Sequence, residues 1–241
     1  LTRISQLSWS DAQRYRVFQV LRGVRAAHPN WPARALASWM TAHNAHQEGR
    51  DTLREQALKE LGTFLEFGLI GPFDNDQGKG FDAVYPPEET IDLKAEYPTK
   101  TLPARWRLTY PKDLRMKVNL GALMYPSRWR VAYGASAVKV SKPGRYSLRI
   151  STTGPIKAWV NGALVFSGRR LGEWHFDGVS VPVDLKEGVN RILIKAANER
   201  GSWTLTARIT HPDGRPVTAG VLSTASLESK PVAPSKATKP P

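Results

Sequence analysis

Cysteine is absent from all 241 residues, which excludes disulfides, thiolate metal sites and a thiol nucleophile. Long apolar runs are absent too: nothing approaches the roughly 18 consecutive apolar residues of a membrane-spanning helix. Leu1–Ser10 has neither the basic start nor the apolar stretch of an export signal. Catalytic spacings are also missing. There is no Gly-x-Ser-x-Gly elbow, no His-Glu-x-x-His pair and no phosphate loop closing on Gly-Lys-Ser/Thr. His43 and His46 can share a helix face, but no third ligand stands near them, so they read as helix-surface histidines. Glu173 and Asp184 would serve a glycosidase only at a defined separation, which a sequence does not give. The expectation is a chain without catalytic chemistry of its own. Leu1 in mid-pattern and a Pro/Lys/Ser-rich end read as the edges of a piece of a larger protein.

Acidic residues are the scarcer charge, 21 Asp and Glu against 35 Lys and Arg, for a net +14. Its distribution says more than its sum. Residues 63–104 hold 3 basic and 8 acidic side chains, whereas 105–149 hold 11 basic and a single acid, Asp113. Tyr and Trp are interleaved with that basic run, which could attract a polyanion such as nucleic acid. Strand neighbours point to opposite faces, however, so these charges also fit a solvated face or ion pairs with the acidic segment. Nucleic acid is therefore a disfavoured partner for this run.

Periodicity divides the chain. Ala12, Tyr15, Phe18, Leu21 and Val24 recur at helical spacing behind Ser10 and Gln13, a capping-box pair. Two more helices follow, one carrying Ala35, Leu36, Trp39 and Met40 and one carrying Leu53, Ala57, Leu58 and Leu61 with Asp51 as its expected cap. Residues 1–62 thus form a short helical segment, which reads as the end of a helical-repeat array. From Phe64 the pattern changes to short extended runs bounded by Gly, Pro and Asn, including 128–133, 137–140, 146–152, 156–160, 191–197 and 203–210. Asn161-Gly162 between two of them favours a hairpin turn needing positive φ. Residues 63–216 are therefore a β-sandwich, mainly β overall. Residues 217–241, poor in large apolar groups, read as a disordered linker.

Three stretches of that β region carry a resemblance. The run Phe67–Asp82 with Tyr85-Pro86-Pro87-Glu88, the hairpin Lys157-Ala158-Trp159-Val160-Asn161-Gly162, and Val183–Lys195 with the closing turn Asp213-Gly214-Arg215-Pro216 resemble a module of large bacterial envelope-associated proteins. In those proteins it follows tetratricopeptide-like helices and often precedes a transglutaminase-like region. The resemblance implies a galactose-binding-like jelly roll, a fold that hosts carbohydrate-binding modules as well as spacers and docking domains, and it cannot choose among them.

Candidate site residues fall in three groups. Asp74-Asn75-Asp76-Gln77-Gly78 offers closely spaced oxygens of the kind a structural calcium prefers, and Asp82 or Glu88 would complete a shell. Asp74, Asp76 and Asp82 are the candidate ligands. An EF-hand is excluded, because Lys79 and Tyr85 stand where Gly and Glu are needed, and an Asx-rich surface turn is the favoured reading. The stretch 167–175 mixes Arg169, Arg170, Trp174 and His175 in a loop where planar donors beside an aromatic could hold a sugar or carboxylate. A solvated loop with Trp174 tucked inward is its plain alternative. Arg128 and Trp129 form a third pairing, while Trp159 and Trp203 alternate with apolar residues and read as core. The functional expectation is a non-catalytic binding or docking module in the cell envelope, engaging protein or glycan. A purely structural spacer and a polyanion binder through 105–149 are its rivals.

Overall fold

A computed structural model describes residues 10–62, 64–100, 102–109, 117–169, 173–217 and 220–222. Three helices open the chain: α1 (Asp11–Ala27), α2 (Trp31–Gln47) and α3 (Asp51–Lys59). The Ser10 hydroxyl accepts from the Gln13 backbone and the Gln13 side chain accepts from the Ser10 N–H, which satisfies two donors a helix start leaves orphaned. Asn30 caps α2 through Ala33, and Pro32 sits in its first turn, where a missing N–H costs nothing. At α3 the sequence reading needs correction. Arg50, without a side-chain bond, is the cap, and Asp51 lies in the first turn, 2.5 Å from Arg54, its charge favoured there by the helix dipole.

The strands follow in the order β1 (Phe67–Asp74), β2 (Glu96–Tyr97), β3 (Ala104–Arg105), β4 (Arg107–Thr109), β5 (Val118–Asn119), β6 (Arg130–Val140) and β7 (Gly144–Thr152). After them come β8 (Ile156–Val160), β9 (Ala163–Gly168), β10 (Val179–Leu185), β11 (Gly188–Asn198), β12 (Thr204–Thr210) and β13 (Gly220–Leu222). A 3-10 segment (Asp76–Phe81) and the short helix α4 (Pro86–Glu89) lie between β1 and β2, and α5 (Leu120–Leu123) lies between β5 and β6. One sheet runs β4-β1-β6-β11-β8-β9 with β13 also on β6; the other runs β10-β7-β12-β5; β2 and β3 form a separate hairpin. Every pairing is antiparallel. The architecture is thus a mainly β sandwich behind an N-terminal helical segment.

Alternation of side chains builds the core between the sheets. Ile192, Ile194 and Ala196 of β11 face Leu148 and Ile150 of β7 and Leu205 and Ile209 of β12, with Trp203 at 1% exposure filling one end. The stretches 128–133 and 137–140 are one strand rather than two. Gly134, Ala135 and Ser136 carry β6 through the gap, and a Cβ at Gly134 would lie 2.9 Å from the Phe67 ring, so a small residue is what that packing requires. Asn161 and Gly162 adopt φ of 51° and 86°, and the β8–β9 hairpin turns there as the dipeptide implies.

Both outer faces of the sandwich are covered over part of their area. On the larger sheet the excursion between β1 and β4 forms a second apolar cluster, in which Phe73, Phe81, Tyr85 and Tyr97 pack on Val131, Tyr133 and Leu193. On the smaller sheet the outward residues are polar, yet Ser147, Arg149 and Ser151 of β7 and Thr206, Arg208 and Thr210 of β12 are all buried. The helices and the segment 174–178 lie over them. Arg208 Nη1 donates to the Leu61 carbonyl at 2.7 Å, and Trp39 stacks on Phe176 at 5.6 Å. Among the described residues no helix is long and apolar enough to cross a membrane.

Candidate functional site

The loop expected to bind ligand divides into two anchored parts. Arg169 lies 4.7 Å above the Phe81 ring and pairs with Asp82, and Lys157 shares both partners at 4.9 and 3.8 Å. Both cations hold the 3-10 segment against the larger sheet. Arg170 lies outside the described residues. Trp174 packs against Trp39 of α2 with ring centroids 5.3 Å apart, and the Lys117 ammonium sits 3.4 Å over its face. Of the three described residues only His175 is exposed without such packing. Arg169 and Trp174 are thus held by different partners, Arg169 by Phe81 and Asp82 and Trp174 by Trp39 of the helices.

The acidic turn is organised by cations of the protein itself. Lys100 pairs with Asp76 and lies 3.5 Å from Asp74, while Arg130 lies 3.3 Å from Asp74 on its other side. The hydrogen bond and charge of Lys100 hold the Asp76 carboxyl below its usual range. Asp82 is spent on Arg169 and Lys157. The expected triad Asp74, Asp76 and Asp82 is thus corrected to two separate ion-paired groups. No group of three or more His, Asp or Glu side chains among the described residues has metal-holding geometry.

Arg128 and Trp129 stand in a different setting. They end the loop 124–129, which leads from α5 into β6 and is fixed at many points. Met124 is buried as a plug, the Ser127 carbonyl accepts from Asn198 at 2.8 Å, and the Trp129 N–H donates to the Glu199 carbonyl at 3.0 Å. The Trp129 carbonyl in turn accepts from the Asn75 N–H at 3.0 Å and from Arg130 at 2.9 Å. Trp129 takes a φ of 54°, a left-handed conformation uncommon for a bulky residue, which these bonds enforce. On this frame Tyr125 is 88% exposed, Trp129 is half-buried and Arg128 is exposed. Arg107 donates to the Leu123 carbonyl at 3.3 Å and brings a second guanidinium to the same end. In the sequence Tyr125 is one of the aromatics interleaved with the basic run, and nothing there sets it apart, because exposure is a property of the folded loop.

A second polar cluster is enclosed under the excursion. Lys195, fully buried on β11, donates to the Glu88 carboxylate at 2.8 Å and to the Ala83 carbonyl at 2.5 Å, and the Tyr133 hydroxyl donates to the same Glu88 oxygen. Burial pulls the Lys195 ammonium below its usual value against the opposing pull of Glu88, and burial together with Glu88 pushes the Tyr133 hydroxyl up. This cluster secures α4 to the sheet.

No family model matches the chain, and no curated protein matches it. Solved structures do. An anti-sigma factor domain-containing protein from Clostridium clariflavum aligns at 12% identity and a TM-score of 0.38 over 64% of this chain and 44% of its own. The PA14 domain of the antifreeze protein MpAFP aligns at 16% identity and 0.32 over 40% and 50%. A family 35 carbohydrate binding module from Clostridium thermocellum aligns at 21% identity and 0.28 over 34% and 71%. The chain spans half or less of the length of the first of these matched structures. Function is left to this chain's own geometry.

Proposed function

We propose that this chain is a non-catalytic glycan-binding module of a larger bacterial envelope-associated protein, with a galactose-binding-like jelly roll that engages sugar at the 124–129 loop. The observation that carries the reading is Tyr125, an aromatic ring 88% exposed on a loop whose neighbours are hydrogen-bonded in place. An exposed ring on mobile chain would cost ordering entropy on binding; here most of that cost is met in folding. Trp129 adds a second aromatic, and Arg128 and Arg107 supply donors for hydroxyl or carboxylate groups. The adjoining acidic turn is tied to the same loop through the Asn75 N–H, and Lys100 pairs with its Asp76.

A second reading, a rigid spacer that fixes neighbouring domains, is favoured by the ionic and aromatic joint between the helices and the smaller sheet. One experiment separates the two. The purified chain is titrated calorimetrically with neutral and acidic envelope glycans at constant, near-physiological salt, because a basic protein binds polyanions without specificity when screening is weak. Saturable binding that weakens about tenfold or more in Tyr125→Ala and Trp129→Ala, a loss of about 1.4 kcal/mol, is the expected result. Absence of saturable binding, or binding indifferent to both substitutions, would leave the spacer.

A further inference from the structure

We infer that a cleft in the helical segment, remote from the 124–129 loop, binds a small organic acid through a carboxylate held by Arg34 and Arg22 while its apolar body lies against Trp31, Leu53 and Pro216. The cleft encloses about 440 Å³ between the three helices and the end of the sandwich, within the range of about 300–1,000 Å³ usual for small-molecule sites. Three guanidinium groups line it, those of Arg22, Arg25 and Arg34, against a single acid, Glu60.

The way these charges are spent defines the ligand. Both Glu60 oxygens are taken by Arg25, at 2.8 and 2.5 Å, and one also accepts from the Ser38 hydroxyl at 2.8 Å. The Arg25–Glu60 pair is thereby closed. Arg34 is fixed differently: its Nε donates to the Arg25 carbonyl at 2.7 Å and its guanidinium lies over Trp31, 4.1 Å from the ring centroid. Its two terminal nitrogens meet no acceptor among the described residues, and neither does the exposed Arg22. The three guanidinium groups therefore outnumber the one carboxylate by two around a concave space. A guanidinium held by its Nε and one face keeps its outer edge available, and that edge matches a carboxylate in two parallel bonds. The walls beyond it are apolar, which argues for a ligand with a carbon body rather than a bare inorganic anion.

The test uses the whole chain and three probes, N-acetylphenylalanine, its neutral amide and inorganic phosphate, followed by ligand-observed NMR and calorimetry at fixed ionic strength. N-acetylphenylalanine is expected to bind saturably, the amide not at all and phosphate far more weakly. Arg34→Gln and Arg22→Gln should each weaken the acid at least about tenfold, as loss of a charge-assisted hydrogen bond would. Circular dichroism checks that the variants fold, and Arg22, being exposed, gives a substitution that leaves packing alone. The inference is overturned if the acid shows no saturable binding, if the amide binds as well, if phosphate binds as tightly as the acid, or if Arg22→Gln changes nothing. Because the glycan loop lies elsewhere, failure here leaves the glycan reading standing, and the reverse holds.

Discussion

At the scale of single residues the most consequential group is Asp177. Its carboxylate receives Arg208 in a two-point contact, with Nε at 2.9 Å, and lies 3.7 Å from Arg149. Arg208 is 1% exposed and Arg149 is also buried. Burial pulls the Arg149 guanidinium below its usual value, and Asp177 opposes that pull. Asp177→Ala would leave two buried cations uncompensated and is expected to cost about 3–5 kcal/mol in urea unfolding; a loss under about 1 kcal/mol would show that water reaches them. Glu60 predicts a pH response. Burial alone would raise its carboxyl, but the hydrogen bonds from Arg25 and Ser38, with the charges of Arg25 and Arg34, bring it below its ordinary 4.5. A folded-state value below the unfolded one gives stability that is present above pH 4.5 and lost as pH falls through that value and the lower folded one. The melting temperatures of the wild-type chain and Glu60→Gln should therefore differ at neutral pH and converge in acid. A constant gap would mean that Glu60 does not titrate with folding.

At the scale of elements the joint between helices and sandwich turns on one aromatic row, His43, Trp39 and Phe176 in a stack with Trp174 tilted against Trp39. Trp174→Ala removes the sandwich's tilted contact while leaving both cores intact. It is expected to cost about 1–3 kcal/mol, less than a fully buried Trp, and to speed amide exchange in α2 and α3 but not in β6 or β11. Equal acceleration everywhere would place Trp174 in the common core. The helices were legible because their apolar residues repeat at the helical period, and the long strands because theirs alternate. The excursion between β1 and β4 was not, since its elements run to only two to six residues and a period needs more. Lys195, Arg149 and Arg208 were illegible for another reason. Alternation along a strand says which residues leave the inter-sheet core, but a sequence does not say whether the outer face meets water or another layer. The candidate site was half legible for the same cause: Arg128 and Trp129 stand where an exposed aromatic loop is, whereas Arg169 and Trp174 proved to be fastening groups.

At the scale of the molecule, part of the charge of +14 is answered within the chain. Arg105 pairs with Glu96 at 2.6 Å and Arg130 with Asp74, so part of the basic run answers the acidic segment before it, as the pairing alternative required. Arg149 is buried under the helices, and Lys112 and Arg115 lie outside the described residues. What unites the molecule is instead the polar face of the smaller sheet. Arg208 reaches Asp177 on one side and the Leu61 carbonyl, beyond α3, on the other, and Gly214 of the sandwich abuts Pro32 of α2 so closely that a Cβ there would lie 2.9 Å from the proline ring. Separating the helices would break the bond from Arg208 to the Leu61 carbonyl and part Trp39 from Phe176 and Trp174. Helices and sandwich should consequently unfold together. Far-ultraviolet dichroism, dominated by the helices, and tryptophan fluorescence, weighted to the sandwich, are expected to give coincident urea transitions in the wild-type chain. Asp177→Ala should separate them, the helical signal falling first, because the cation that ties the two layers then favours exposure to water. Two resolved transitions in the wild-type chain would instead make the helices a unit attached by its linker alone, and the buried ionic face would have to be stable without them.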